Sequence, residues 1–121
     1  MKYLYGNFSD EQISYQAKNM HSEIHRLLIY KDKNIVPKNF NSDEDFLSYF
    51  KNILMRYGGL NSLLGEPPGM VLFMSTLQAA LEECLDSDFD YSKFRKLIFD
   101  AHGYLTCLLY TSPSPRDQRG S

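Results

Sequence analysis

The sequence predicts an all-α protein, a small irregular four-helix bundle, and three observations carry that prediction. Apolar residues recur at three- and four-residue spacing in four separate stretches, the pattern of helices that bury one face. Ser, Asp and Pro stand where those stretches begin, and Gly-, Pro- and Asp-rich segments stand between them. No segment reads as a strand, and no internal repeat is present.

From the N-terminus, Phe8-Ser9-Asp10-Glu11-Gln12-Ile13 is the strongest local signal. Ser9 is placed to cap a helix while Gln12 reaches back to close a capping box, with Phe8 and Ile13 spaced as a hydrophobic staple. The first helix is expected from Asp10 to about Tyr30, with Ile13, Ala17, Met20, Ile24, Leu27 and Leu28 as its apolar stripe. Lys31 and Lys33 follow where positive charge complements the helix dipole. Residues 31–41 read as a polar connection that Pro37 keeps out of helix. Ile35, Val36 and Phe40 are its expected anchors on the core. Ser42 then caps a second helix whose first turn holds Asp43, Glu44 and Asp45. Phe46, Phe50, Ile53, Leu54 and Tyr57 share one side of it, and Gly58-Gly59 is expected to end it. Leu60 to Leu64 is expected to add one short helical turn with its leucines inward.

The chain is organised around residues 58–85, which hold the third helix. Pro67 and Pro68 suit a helix start, and the EPPG run makes the entrance stiff. Met70, Phe73, Met74, Leu77, Leu81, Cys84 and Leu85 share one face. Val71 and Leu72 make the first turn apolar most of the way round, which predicts burial on more than one side. The unbroken apolar run is only MVLFM, whereas a membrane span needs roughly 20 residues. Asp86–Asp90 is a turn rich in capping residues, and Asp88 or Asp90 caps a fourth helix from near Tyr91. Phe94, Leu97, Ile98, Ala101 and Leu105 form its stripe, and Gly103 costs it about 1 kcal/mol relative to alanine.

Residues 107–117, CLLYTSPSPRD, resemble at every position one translated frame of a transposase-based sequencing adapter. The resemblance implies that residues 107–121 are not natural protein and are disordered. It also implies that helix 4 is cut short and that the natural chain continues past Thr106. Residues 1–106 are then one small helical domain, with Cys84 as its single cysteine and no disulfide to argue for an oxidising compartment. Without Arg116, Arg119 and Asp117 the chain has 11 basic and 14 acidic side chains, a net charge of −3. Such a balance gives no electrostatic footprint for nucleic acid. Nine Tyr and eight Phe speak against intrinsic disorder. The N-terminal residues lack the apolar core of a signal peptide, so the cytoplasm is the expected compartment.

Four groupings are candidates for chemistry or binding. His21 and His25 stand four apart on helix 1, but HSEIH lacks the glutamate directly after the first histidine that H-E-x-x-H requires. His102 or Asp100 is the conceivable third ligand, and the pair is read as boundary histidines with no metal assigned. The carboxylates of residues 43–45, 82–83 and 86–90 read as caps and solvated faces, since DSDFDYSKF lacks an EF-hand's glycine and closing glutamate. Lys93, Arg95 and Lys96 form a basic patch at the start of helix 4, where a helix-turn-helix would present its recognition residues. Asp86, Asp88 and Asp90 crowd the same end and oppose phosphate binding. Arg56, Tyr57, Asn61, Glu66, Pro67 and Pro68 lie on a Gly/Pro-braced connection, the kind of rigidly held segment that often binds a partner. Cys84, on an apolar face, reads as an inert thiol.

No catalytic set, cofactor motif or phosphate loop is present in the sequence, which leans away from an enzyme. By elimination it points to a small cytoplasmic helical module that binds another protein in an accessory or regulatory role. The alternative is a DNA-binding regulator using Lys93, Arg95 and Lys96, and a more remote one is a metal-dependent enzyme using His21. The sequence does not identify the partner or the oligomeric state.

Overall fold

The computed structural model of the chain describes residues 2–3, 6–7 and 9–110. Four helices make the fold: α1 (Asp10–Lys31), α2 (Asp43–Leu63), α3 (Pro68–Leu85) and α4 (Tyr91–Tyr110). Ahead of them, β1 (Lys2–Tyr3) pairs antiparallel with β2 (Gly6–Asn7), Lys2 opposite Asn7 and Tyr3 opposite Gly6. This two-residue ladder is too short to carry the alternation by which a strand is read from sequence. The all-α bundle is otherwise as the periodicity predicts.

The helix starts follow their capping residues. Ser9 Oγ accepts from the Gln12 N–H at 3.0 Å, and the Ser9 N–H donates back to Gln12 Oε1 at 2.8 Å, closing the box. The Phe8–Ile13 staple falls outside the described side chains. Ser42 Oγ accepts from the Asp45 N–H at 3.1 Å. Asp90 is the cap of α4, its Oδ1 accepting from the Ser92 N–H at 2.9 Å. Pro68 stands in the first turn of α3, where a missing N–H costs nothing.

α4 is the centre of the packing. It lies against α3 over the largest interface and against α1 over the next, while α2 closes on α3. Helices α1 and α2 meet less closely than these three pairs, and a cleft lies between them. The shared core is made by Ile24 and Leu27 of α1, Phe46, Phe50 and Ile53 of α2, Met70, Phe73 and Leu77 of α3, and Phe94, Ile98 and Ala101 of α4. Each large apolar side chain among them contributes roughly 1.5–3 kcal/mol by leaving water. Leu105 closes the far end of the α4 stripe. Helical backbone continues to Tyr110, four residues into the adapter-like stretch, and the expectation for residues 111–121 lies outside the described residues.

Three expectations are corrected. Gly58-Gly59 does not end α2, which runs on to Leu63. Glycine weakens a helix by about 1 kcal/mol but stops it only when its backbone turns left-handed. Here the burial of Leu64 and the packing of Leu60 against the core favour one more turn of helix, with Leu63 facing out. The true stop is Gly65, at φ 82°. Its N–H donates to Ser62 O at 3.1 Å and the Glu66 N–H to Asn61 O at 2.9 Å, the paired bonds of a Schellman ending. Second, α3 is not buried on several sides, because Val71, Leu72 and Leu85 are exposed and the core takes Ala80 instead. A four-helix arrangement gives α3 only two helical neighbours of any extent, so its third side meets water. Third, Ile35 and Val36 do not anchor the α1–α2 connection, Val36 being 77% exposed.

Phe40 does anchor it, edge-on to Tyr30 and Phe46, while Tyr30 stacks on Phe46 at 4.7 Å. The other fixings are polar. Lys38 Nζ donates to the carbonyls of Tyr30 (2.9 Å) and Asp32 (2.6 Å), at the end of α1 where the helix dipole is negative. Asn39 Nδ2 donates to Arg26 O at 3.0 Å, and Tyr30 OH donates to Asp43 Oδ1 at 2.6 Å across to the first turn of α2.

Candidate functional site

The cleft between α1 and α2 has a volume of about 400 Å³ and is lined by Gln16, Asn19, Met20, Ser22 and Glu23 of α1 with Arg56, Tyr57 and Leu60 of α2. Positions 16, 19, 20 and 23 share one face of α1, as 56 and 60 do on α2. Glu23 is the centre of the floor. Its Oε1 accepts from Tyr57 OH at 2.6 Å and its Oε2 from Arg56 Nη2 at 2.8 Å. Its backbone carbonyl accepts from Tyr49 OH at 3.1 Å. Three side chains of α2 are thus fixed on one residue of α1.

The electrostatics make these phenols donors. Burial, then the hydrogen bond to Glu23, raises the Tyr57 phenol far above its ordinary value. Burial also raises Tyr49, against the pull of Arg26. The hydrogen bond to Glu23 raises Arg56. At neutral pH both phenols therefore keep their protons, and the cleft presents fixed donors and a neutralised ion pair. Such a surface suits recognition more than proton transfer.

The structure divides the six residues singled out on the 56–68 segment. Arg56 and Tyr57 enter the cleft. Asn61 and Glu66 belong to the α2 ending, where Glu66 holds a left-handed φ of 56°. Asn61 Oδ1 is buried with no hydrogen-bond partner. Pro67 and Pro68 open α3, the Pro67 carbonyl accepting from the Met70 and Val71 N–H groups at 3.0 Å each. Glu23, the hub, was visible in the sequence only as the residue between two histidines. Its spacing with Met20 and Gln16 places it on one face, but its partners lie on another helix.

At the start of α4, Arg95 rides on the Phe99 ring at 4.6 Å and Lys96 pairs with Asp100 at 3.1 Å. Both cations thus have partners within their own helix. Asp90, one residue before α4, also accepts and donates locally, its N–H bonding Glu83 Oε2 at 2.8 Å. Cys84 is half-buried beside the core, and burial pushes its thiol up to about 12, against the influence of Lys31. At neutral pH it is a protonated, unreactive thiol.

The three histidines meet at the α1–α4 seam. His21 stacks on His102 with ring centroids 3.7 Å apart and planes 14° apart, and His25 stands 6.1 Å from His102. His102 is buried and its Nε2 has no hydrogen-bond partner, whereas His21 and His25 are exposed. Nearly parallel rings direct their nitrogens along one another and not onto a common point. Among the described residues no three ligating side chains converge as a metal site would require. Burial first, then repulsion from His21 and His25, pushes His102 down to about 4.

Among the described residues no helix is long and apolar enough to cross a membrane. No protein-family model, curated protein or solved structure matches the chain.

Proposed function

We propose that this protein works by binding an amphipathic helix of another protein along the outer face of α2, beside the cleft. One observation carries the reading: Met55 and Leu63 are exposed, at 77% and 48%, eight residues apart on the same face of α2. Gly59 lies midway between them, and a Cβ there would meet nothing within 4 Å. The result is a flat apolar strip roughly 12 Å long, the length of two helical turns. Apolar side chains held in register on a helix suit the i, i+4, i+7 anchors of a docked helix, and Met adapts its shape to a partner.

Charge indicates the kind of helix. Lys51 is exposed one turn before Met55 on the same face, while Arg56 at the cleft rim is already paired with Glu23. A partner helix with acidic residues beside its apolar stripe therefore complements this surface. The bonds of Arg56 and Tyr57 to Glu23 tie α2 to α1, so the helix that carries the strip is already held in place before a partner binds.

The test places a photo-crosslinking residue at position 63, identifies the captured protein, and measures its affinity in purified form. Met55→Glu and Leu63→Glu, checked for native helicity, are expected to weaken binding at least about tenfold, as loss of central apolar anchors does. Unchanged affinity in both variants would refute the α2 surface. Salt-dependent DNA binding lost in a Lys93, Arg95 and Lys96→Ala variant would point instead to a nucleic-acid regulator.

A further inference from the structure

We propose that the stacked His21–His102 pair makes the α1–α4 seam acid-sensitive, so that a proton taken up by His102 drives the two helices apart. His102 is buried with an unpaired Nε2, and the ring of His21 lies on its face at 3.7 Å. A charge placed there meets two further imidazoles, and what favours it is a hydrogen bond to the backbone of His21, outweighed by burial and by the His21 ring. The groups around it come from three helices. On α1, Lys18 is exposed one turn before His21 and has the same sign as the incoming proton. Glu23 is turned to the other side, its carboxylate held by Arg56 and Tyr57. On α4, Asp100 is paired with Lys96, and Arg95 lies on Phe99. On α3, the ionisable side chains Glu82, Glu83 and Cys84 all stand in the last turns, where Glu83 bonds the Asp90 N–H just before α4 begins. His102 lies three turns further along α4.

The sign follows from burial of the neutral ring. The folded state holds His102 at about 4, below its ordinary 6.5, so the unfolded chain binds the proton more readily. Stability from this residue is complete above about pH 6.5 and is lost progressively as pH falls towards 4. Because α1 also forms one wall of the cleft, through Gln16, Asn19, Met20 and Glu23, a loosened seam shifts that wall as well.

Urea unfolding at pH 7 and pH 5 tests the device on the full chain. One such linked proton raises the unfolding constant about 20-fold between these values. His102→Phe keeps an aromatic ring against His21 and is expected to remove most of that rise, while His25→Gln is expected to retain it. Equal stability at the two pH values, or an undiminished rise in His102→Phe, would overturn the proposal. Should His102→Phe fail to fold, the His102 ring proton followed by NMR in the unmodified protein decides. Titration well below pH 6, coupled to loss of native α1 shifts, supports the seam. Titration near 6.5 with native shifts unchanged refutes it.

Discussion

At the scale of single residues, Glu23 is the best-connected polar group described, and its bonds differ in worth. The Tyr57 hydroxyl is buried and donates to a carboxylate over 2.6 Å, whereas the Arg56 side chain is 54% exposed. An exposed ion pair is screened by water and gives back in side-chain entropy much of what it gains, leaving at most about 1 kcal/mol. A buried hydrogen bond to a charged acceptor contributes about 1.5–3 kcal/mol. Tyr57→Phe is therefore expected to destabilise more than Arg56→Ala by about 1 kcal/mol, measured by urea unfolding. Glu23→Ala should cost more than either, since it strands the Tyr57 hydroxyl in the interior. A double-mutant cycle of Glu23→Ala with Tyr57→Phe is expected to show coupling well above 0.5 kcal/mol, and additivity would contradict the shared bond.

At the scale of elements, the caps and apolar stripes were legible in the sequence because each depends on neighbours within one or two turns. Ser9, Gln12, Ser42 and Asp90 act as their spacing predicts, and Met20, Ile24, Phe46, Phe50, Phe94 and Ile98 are buried as their periodicity predicts. Gly58-Gly59 was misread because glycine is compatible with both a helix interior and a helix end. What decides between them is the contact of Leu60 and Leu64 with other helices, which no local pattern records. The two readings predict opposite effects of a methyl group. A Cβ at Gly59 meets open space, and one at Gly58 meets only Met74 Cε at 3.9 Å, an ordinary contact. Gly59→Ala is expected to stabilise by about 0.8–1 kcal/mol, and Gly58→Ala by a similar amount. A loss of stability in both would place the helix end back at residue 58. The cleft was the least legible feature, since it exists only where α1 and α2 fail to pack closely and Glu23 bridges the gap.

At the scale of the molecule, α4 joins the two halves, resting on α3 along one side and on α1 along another. Its phenylalanines separate these roles from the surface. Phe94→Ala opens a cavity in the common core and is expected to cost about 3–5 kcal/mol, while Phe99→Ala, at a 44% exposed position, is expected to cost under about 1 kcal/mol. Denaturation midpoints that fall equally would show that α4 is not seated as described. The connection between α1 and α2 is as much a part of this whole as the helices it joins. It has few buried apolar residues, yet Lys38 commits its ammonium group to two carbonyls at the end of α1. A protease must draw a lysine into its specificity pocket and stretch the flanking backbone before it can cut, so such bonds shield a peptide even on an exposed surface. Lys33, five residues earlier, is exposed in the preceding turn. Brief digestion with trypsin is therefore expected to nick the chain after Lys33 before it does so after Lys38. Replacing Tyr30–Asp32 contacts by Lys38→Gln should loosen the segment and hasten the cut after Lys33, and an unaltered rate would show that Lys38 is no tether.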